Sequence, residues 1–401
     1  MNIAFFTDAY APRVNGVAVS VQSYARELCH LGHKACIVCP NYDVAVRDIS
    51  IIPDSKEASL LEVRIPASRE VFSKEDRAVS LLFIKKMNAW LDGWKPDAVH
   101  VNTEFTVGIL GVRYAKRNSI PLVYTFHTLW EDYFANYIPI LPPAMLRWSG
   151  RRLVKAFLRR ADEIIVPTVQ IKETVSRYGI ERESYILPTG IPDFVAADIP
   201  HEKVKEFKIR LYEEFPNLAG KKILLYVGRM AKEKNLDLLI SVLETVKKII
   251  PLTALLFVGG GPEVEPLKKL TEEKNLSDSV AFAGYRERDE LPFFYRVSDV
   301  FSFPSVTETQ GLVTVEAMLS GLPVVAVGEM GTVDIMQGDK GGFMVHDDQN
   351  EFSERVVELL QNESLWQNKS KEASEWGRRW LISSLTPKLV ERYRTAIESF
   401  R

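Results

Sequence analysis

Two glutamates frame the segment best equipped for chemistry, Pro304-Ser305-Val306-Thr307-Glu308-Thr309-Gln310-Gly311-Leu312-Val313-Thr314-Val315-Glu316-Ala317-Met318. Glu308 falls in a loop, and Glu316 falls inside the helix that the following apolar residues predict. A carboxylate accepts hydrogen bonds from paired hydroxyls, as the diol of a ribose or a hexose presents them. Gln310, Gly311 and Leu312 start the predicted helix, where backbone N–H groups have no intrahelical acceptor. Glu316 is flanked by Val315, Ala317, Met318 and Leu319, a setting costly for a charge without a partner. A structural salt bridge would also explain it.

A second candidate is the loop Gly228-Arg229-Met230-Ala231-Lys232-Glu233-Lys234-Asn235. Glycine lets the backbone turn tightly, and Arg229 and Lys234 stand near the start of a predicted helix, whose dipole favours anions. The loop reads as a diphosphate clamp or, equally, as a solvated basic turn. Gly259-Gly260-Gly261-Pro262 is a glycine-rich strand-to-helix turn that suits close approach of a phosphate or sugar, although glycines also simply build turns.

Such loops need a frame. Asn2–Thr7 reads as a buried strand, and Val17, Val21, Tyr24, Leu28 and Leu31 then recur at helical spacing before Gly32. Further strands are predicted at Ala35–Cys39, Ala98–Val101, Leu122–Thr125 and Glu163–Pro167, with helical segments between them. After a polar stretch, Asp193–Gly220, the pattern restarts. Strands are predicted at Lys222–Val227, Thr253–Val258, Asp299–Phe303 and Pro323–Val327. Helices are predicted at Leu236–Ile249, Pro262–Lys274, Gly311–Ser320 and Asn350–Gln361. This alternation implies parallel sheets with helices on both faces, in two α/β, Rossmann-like, doubly wound domains. A length of 401 residues also favours two domains. In open parallel sheets ligands bind beyond the carboxyl ends of the strands, so two facing domains would form a cleft lined by those loops.

The formal net charge of −2 points to no nucleic-acid partner. No secretory signal or membrane-spanning stretch is readable, so the cytoplasm is the expected location. The three cysteines, Cys29, Cys36 and Cys39, fit a reducing compartment. Cys36 and Cys39 fall in a predicted strand and point to opposite faces, which argues against a zinc knuckle. No metal and no cofactor are expected.

Taken in order, these segments resemble the large retaining glycosyltransferase family with the GT-B fold and the Glu-x7-Glu motif. Thr7-Asp8-Ala9-Tyr10-Ala11-Pro12-Arg13-Val14-Asn15-Gly16-Val17 resembles its first glycine loop, and Gly228-Arg229 with Lys234 its phosphate clamp. The resemblance is closest to bacterial diacylglycerol glucosyltransferases, in Tyr10–Ala18, in Thr125-Phe126-His127-Thr128-Leu129-Trp130-Glu131-Asp132-Tyr133 and in Glu308–Leu312. It implies domains at 1–195 and 196–381, with a C-terminal helix, 382–401, packing back on the first. It implies that Gly16 approaches the donor diphosphate, that Arg229 and Lys234 hold it, and that Glu316 holds the ribose. Glu308, with Thr309, Gln310, Gly311 and Leu312, would hold the transferred sugar; Gly284, Tyr285 and Arg286 would line the base pocket. His127 would meet the sugar from the opposite side. The implied reaction is hexosyl transfer with retention from a nucleotide sugar, UDP-glucose first and GDP-mannose second, to a lipid or small-molecule acceptor.

His100, beside Asn102, Thr103 and Glu104, either faces the acceptor or is a satisfied core histidine. Trp376, Trp380, Leu381, Leu389, Tyr393 and Ile397 are apolar enough to dock the C-terminal segment on the first domain. Between Pro142 and Ala161, Arg147, Arg151, Lys155 and Arg159 recur at four-residue spacing around Trp148, with Leu146, Leu153, Val154 and Phe157 opposite. That stripe suits an anionic membrane surface, the inner face being the expected one, or it is the wet side of a helix packed on its sheet. A non-catalytic sugar-nucleotide-binding protein, and an epimerase or phosphorylase on a similar scaffold, are the alternative readings.

Overall fold

The computed structural model describes residues 1–12, 16–43, 45–70, 77–127, 143–308 and 310–400. The chain divides into two compact units, Met1–Gly190 with Ile382–Arg401, and Ile191–Leu381.

In the first unit a parallel sheet is built around β1 (Asn2–Phe6), β2 (Lys34–Asn41), β6 (Ala98–Val101), β7 (Leu122–Thr125), β8 (Glu163–Val166) and β9 (Ser184–Ile186). Its order is β3-β4-β2-β1-β6-β7-β8-β9, where β3 is Ser50–Pro53 and β4 Leu60–Glu70, and β5 (Arg77–Val79) pairs with β4. Among the described residues only β3 and β5 run antiparallel. The strands alternate with period two between two apolar layers. Ala4, Phe6, Cys36, Val38, Val99, Val101 and Tyr124 enter one. Ile3, Phe5, Ile37, Cys39, Val123 and Ile165 enter the other, which the Gly16–His30 and Ile382–Phe400 helices cover. Cys36 and Cys39 therefore lie on opposite faces, both buried with free thiols.

The second unit carries six parallel strands in the order β12-β11-β10-β13-β14-β15. They are β10 (Lys222–Val227), β11 (Thr253–Val258), β12 (Val280–Phe282), β13 (Val300–Phe303), β14 (Val324–Val327) and β15 (Gly342–Val345). The central strands are continuous apolar runs because helices cover both of their faces. The order reverses direction between β10 and β13, and in open parallel sheets it is beyond the carboxyl ends of the strands at such a switch point that ligands bind.

Trp376, Trp380 and Leu381 pack in the core of this second unit. Leu389 and Tyr393 alone of the docking candidates join the first unit's core. The correction has a simple cause: the chain crosses between Leu381 and Ile382, after both tryptophans.

Candidate functional site

The loops after β10, β11 and β12 are bonded to one another. The Gly228 N–H donates to the Val258 carbonyl (2.9 Å), that of Met230 to Gly260 (2.9 Å) and that of Gly259 to Gly284 (2.8 Å). Gly259 and Gly261 hold φ of +129° and +154°. A Cβ there would lie 2.0 Å from the Gly228 oxygen and 2.1 Å from that of Met230, so both positions require glycine. Tyr285 lies against Gly260 and is 79 % exposed.

The loop after β13 closes onto the same ledge. Thr307 Oγ1 donates to the Glu233 carbonyl (3.3 Å), and the Gly331 N–H to the Glu308 carbonyl (2.9 Å). Lys234 and Glu308, 74 residues apart, meet as an ion pair. Arg229 stays exposed; its carbonyl accepts from the Tyr226 hydroxyl at 3.0 Å. Gly311, at φ +62°, precedes the Leu312–Leu319 helix. Around that helix start Ser305 Oγ, Gln310 Nε2 and Thr314 Oγ1 are buried without a hydrogen-bond partner among the described residues. Buried polar atoms are normally satisfied, by protein, by water or by a ligand. Thr309 lies outside the described residues.

Glu316 projects from the same helix and is buried. Its carboxylate accepts from the Tyr295 hydroxyl at 3.0 Å and faces Arg288 at 3.7 Å. Burial raises its pKa, against the pull of Arg288 and Tyr295.

In the first unit, too, the polar side chains of interest follow strand ends. Asp8, after β1, accepts from Thr103 Oγ1, Thr106 Oγ1 and the Val107 and Gly108 amides, capping the Thr106–Asn118 helix. His127, after β7, bonds through Nε2 to Asn102 Oδ1 at 3.1 Å. Asn102 in turn donates from Nδ2 to the His100 carbonyl at 3.3 Å. With its amide so turned, Asn102 offers His127 an acceptor, which keeps the proton on Nε2. Burial lowers the His127 pKa to about 4. Ser20, Tyr24, Asn102 and His127 line an enclosed cavity of about 10 Å³, the size of one water.

Two family descriptions match the chain: Glyco_transf_4, Glycosyltransferase Family 4, over residues 14–193, and Glycosyl transferases group 1 over residues 210–380. The alpha-monoglucosyldiacylglycerol synthase of Streptococcus pneumoniae is 32 % identical over 333 residues, 82 % of this chain and 71 % of that protein. The alpha-monoglucosyldiacylglycerol synthase of Acholeplasma laidlawii is 30 % identical over 386 residues, 93 % of this chain and 92 % of that one. The chain belongs to the GT-B glycosyltransferases. The fold agrees with a solved structure of Anabaena HepE in complex with UDP, at a TM-score of 0.76 and 17 % identity over 98 % of this chain and 100 % of that one.

Within this glycosyltransferase, the expected donor residues Arg229, Lys234, Gly284, Tyr285, Glu308, Gln310, Gly311 and Leu312 lie on strand-end loops or a helix start of the second unit, and Glu316 lies inside the helix that follows. Arg286 is committed elsewhere: Nε donates to the Ala283 carbonyl at 3.0 Å, and the guanidinium pairs with Glu214 and covers the Phe294 ring. Gly16 and His127 belong to the first unit, where Gly16 opens its helix with open space around it. His100 is a satisfied core histidine, bonded to the Tyr393 hydroxyl and Thr125 Oγ1, both at 2.7 Å. Asn102 and the pair Arg288–Tyr295 escaped the sequence reading. The one available signal was that a carboxylate buried mid-helix, such as Glu316, needs a donor from another element.

Proposed function

We propose that this glycosyltransferase moves glucose from UDP-glucose to the hydroxyl of a membrane lipid of the diacylglycerol class, with retention at the anomeric carbon. The observation that carries the reading is the convergence of Lys234 and Glu308, a cation and a hydroxyl acceptor, on one ledge of glycine loops. On it the diphosphate lies against Arg229 and Lys234, the ribose hydroxyls bind Glu316, and the sugar hydroxyls bind Glu308. As the bond from C1 to the diphosphate breaks, Arg229 and Lys234 stabilise the charge gathering on the leaving oxygen. The acceptor oxygen bonds to C1 on the face the phosphate leaves, and its proton passes to that phosphate. No protein nucleophile takes part.

The acceptor is inferred from the names of the two relatives and from the exposed basic and aromatic face of the Pro143–Leu158 helix, which suits the cytoplasmic surface of an anionic membrane. The deciding experiment offers radiolabelled UDP-glucose or GDP-mannose with diacylglycerol in anionic vesicles, and separately with soluble sugars. Glucosyl-diacylglycerol with an α linkage by NMR is expected. A β linkage removes retention, and transfer from GDP-mannose alone, or only to soluble sugars, removes the donor or the acceptor assignment.

A further inference from the structure

Lys234 and Glu308 stand in an unusual relation for two groups assigned to different parts of one ligand. The cation meant for a diphosphate is taken by the carboxylate meant for a sugar. Their side chains are only 16 % and 23 % exposed, so neither is simply a solvated surface group. The backbone beneath each is fixed, Lys234 by its N–H to the Ala231 carbonyl (2.9 Å) and Glu308 by the Gly331 N–H (2.9 Å). Only the side chains are left to change partners.

We infer that Glu308 is a built-in competitor for the leaving nucleoside diphosphate: it holds Lys234 when the site is empty, yields it to an intact sugar nucleotide, and reclaims it once the sugar has gone. The inference rests on the donor reading above. An ammonium cannot serve a carboxylate and a diphosphate at once without bringing two anions together. An intact donor compensates both members of the broken pair, giving phosphate oxygens to Lys234 and hydroxyls to Glu308. A spent nucleoside diphosphate compensates only Lys234 and leaves the half-buried Glu308 beside another anion, an arrangement that costs free energy. The site thereby favours donor over product, and the return of Glu308 to Lys234 promotes product release.

Calorimetry with UDP, GDP and UDP-glucose on the full chain tests this, using wild type, Glu308→Gln, Lys234→Met and the double variant, each first checked for a native melting transition. Glu308→Gln removes the competing charge and keeps the shape. UDP should bind it about five- to tenfold more tightly than wild type, opposite to the effect of deleting an ordinary ligand contact. The preference for UDP-glucose over UDP should collapse. In the Lys234→Met background, adding Glu308→Gln should change UDP affinity by less than about twofold. Unchanged or weaker UDP binding to Glu308→Gln overturns the inference. So does a tightening that survives undiminished without Lys234, since that would report only a general loss of negative charge. If wild type binds neither UDP nor GDP, the donor reading itself falls and this inference with it.

Discussion

The Tyr295 hydroxyl donates to Glu316 at 3.0 Å, so the buried carboxylate of the second unit is held by a phenol, with Arg288 at 3.7 Å on its other oxygen. Burial raises the Glu316 pKa. A carboxyl whose pKa is raised on folding contributes stability at low pH and loses it as pH rises through the folded value, so ionising Glu316 costs the fold free energy. A destabilising charge kept in place fits a binding role. Glu316→Gln should raise the melting temperature at pH 7 while weakening UDP-glucose binding by about 1.5–3 kcal/mol, through loss of charged hydrogen bonds to the ribose. Thermal melting and calorimetry on the same variant check both signs. A more stable variant with unchanged affinity leaves Glu316 no donor role.

Acid should destabilise the first unit through its histidines. Burial lowers the His100 pKa to about 3 and the His127 pKa to about 4. Between those values and about 6.5 the unfolded chain binds protons that the native state does not, so stability present above pH 6.5 is lost as pH falls. Each histidine contributes a slope of about 1.4 kcal/mol per pH unit in that window. His100→Gln should lower stability at pH 7, by breaking the bonds to Tyr393 and Thr125, and flatten the acid limb by one proton. Urea unfolding at pH 7, 6, 5 and 4.5 measures both, and parallel curves for variant and wild type would refute the assignment.

The Ile382–Phe400 helix is part of the first unit's core, since Leu385, Leu389, Val390 and Tyr393 bury against the same layer as Ile3, Phe5 and Ile37. Ending the chain after Leu381 should uncover that face of the sheet and leave the first unit unable to fold, because each large side chain lost from a core costs about 2–5 kcal/mol. The second unit keeps its whole core and should still bind UDP. Limited proteolysis that degrades both units of the truncate alike would show instead that the two fold as one.

What the sequence showed of this molecule follows from where each residue sits. Lys222–Val227 and Thr253–Val258 were legible because, after Lys222 and Thr253, every side chain is apolar or aromatic and buried on both faces. Leu60–Glu70 went unassigned although Leu61, Val63, Ile65 and Ala67 alternate with Glu62, Arg64 and Pro66 at the period of a strand, because charges and a proline at every second place mask the apolar face. The strands Val280–Phe282 and Gly342–Val345 are too short to hold one. In the site, glycines and charges on strand-end loops announced themselves by type. Their partners did not: Asn102 meets His127 across 25 residues and Tyr295 meets Glu316 across 21, and only the sheet order brings them together. The commitment of Arg286 to Glu214, 72 residues away, was hidden for the same reason.

The Pro143–Leu158 helix buries Val154, Phe157 and Leu158 on the first unit's sheet. Its outer side is basic: Arg151, Arg152, Lys155, Arg159 and Arg160 line a groove of about 760 Å³ with Trp148, which is 60 % exposed. The side chains of Leu146 and Arg147 lie outside the described residues. Arg152 stacks over Trp148 at 5.3 Å, and Arg151 over Tyr178 at 5.4 Å. Among the described residues no carboxylate pairs with Arg152, Lys155, Arg159 or Arg160. An ordinary solvated helix face intersperses both signs of charge, whereas this one concentrates a single sign around a tryptophan, the combination that suits an anionic lipid interface. Each cation near such a surface contributes about 1 kcal/mol, screened over a length of roughly 10 Å at 0.1 M salt. The protein should therefore co-sediment with vesicles containing phosphatidylglycerol and be released as salt rises. The triple change Arg152→Glu, Lys155→Glu, Arg159→Glu should abolish sedimentation and transfer to vesicle diacylglycerol while leaving UDP affinity within about twofold of wild type. Trp148→Ala should weaken binding with no change in its salt dependence, since it removes apolar insertion and no charge. Sedimentation of the triple variant at the wild-type level would return this helix to the role of a wet outer face.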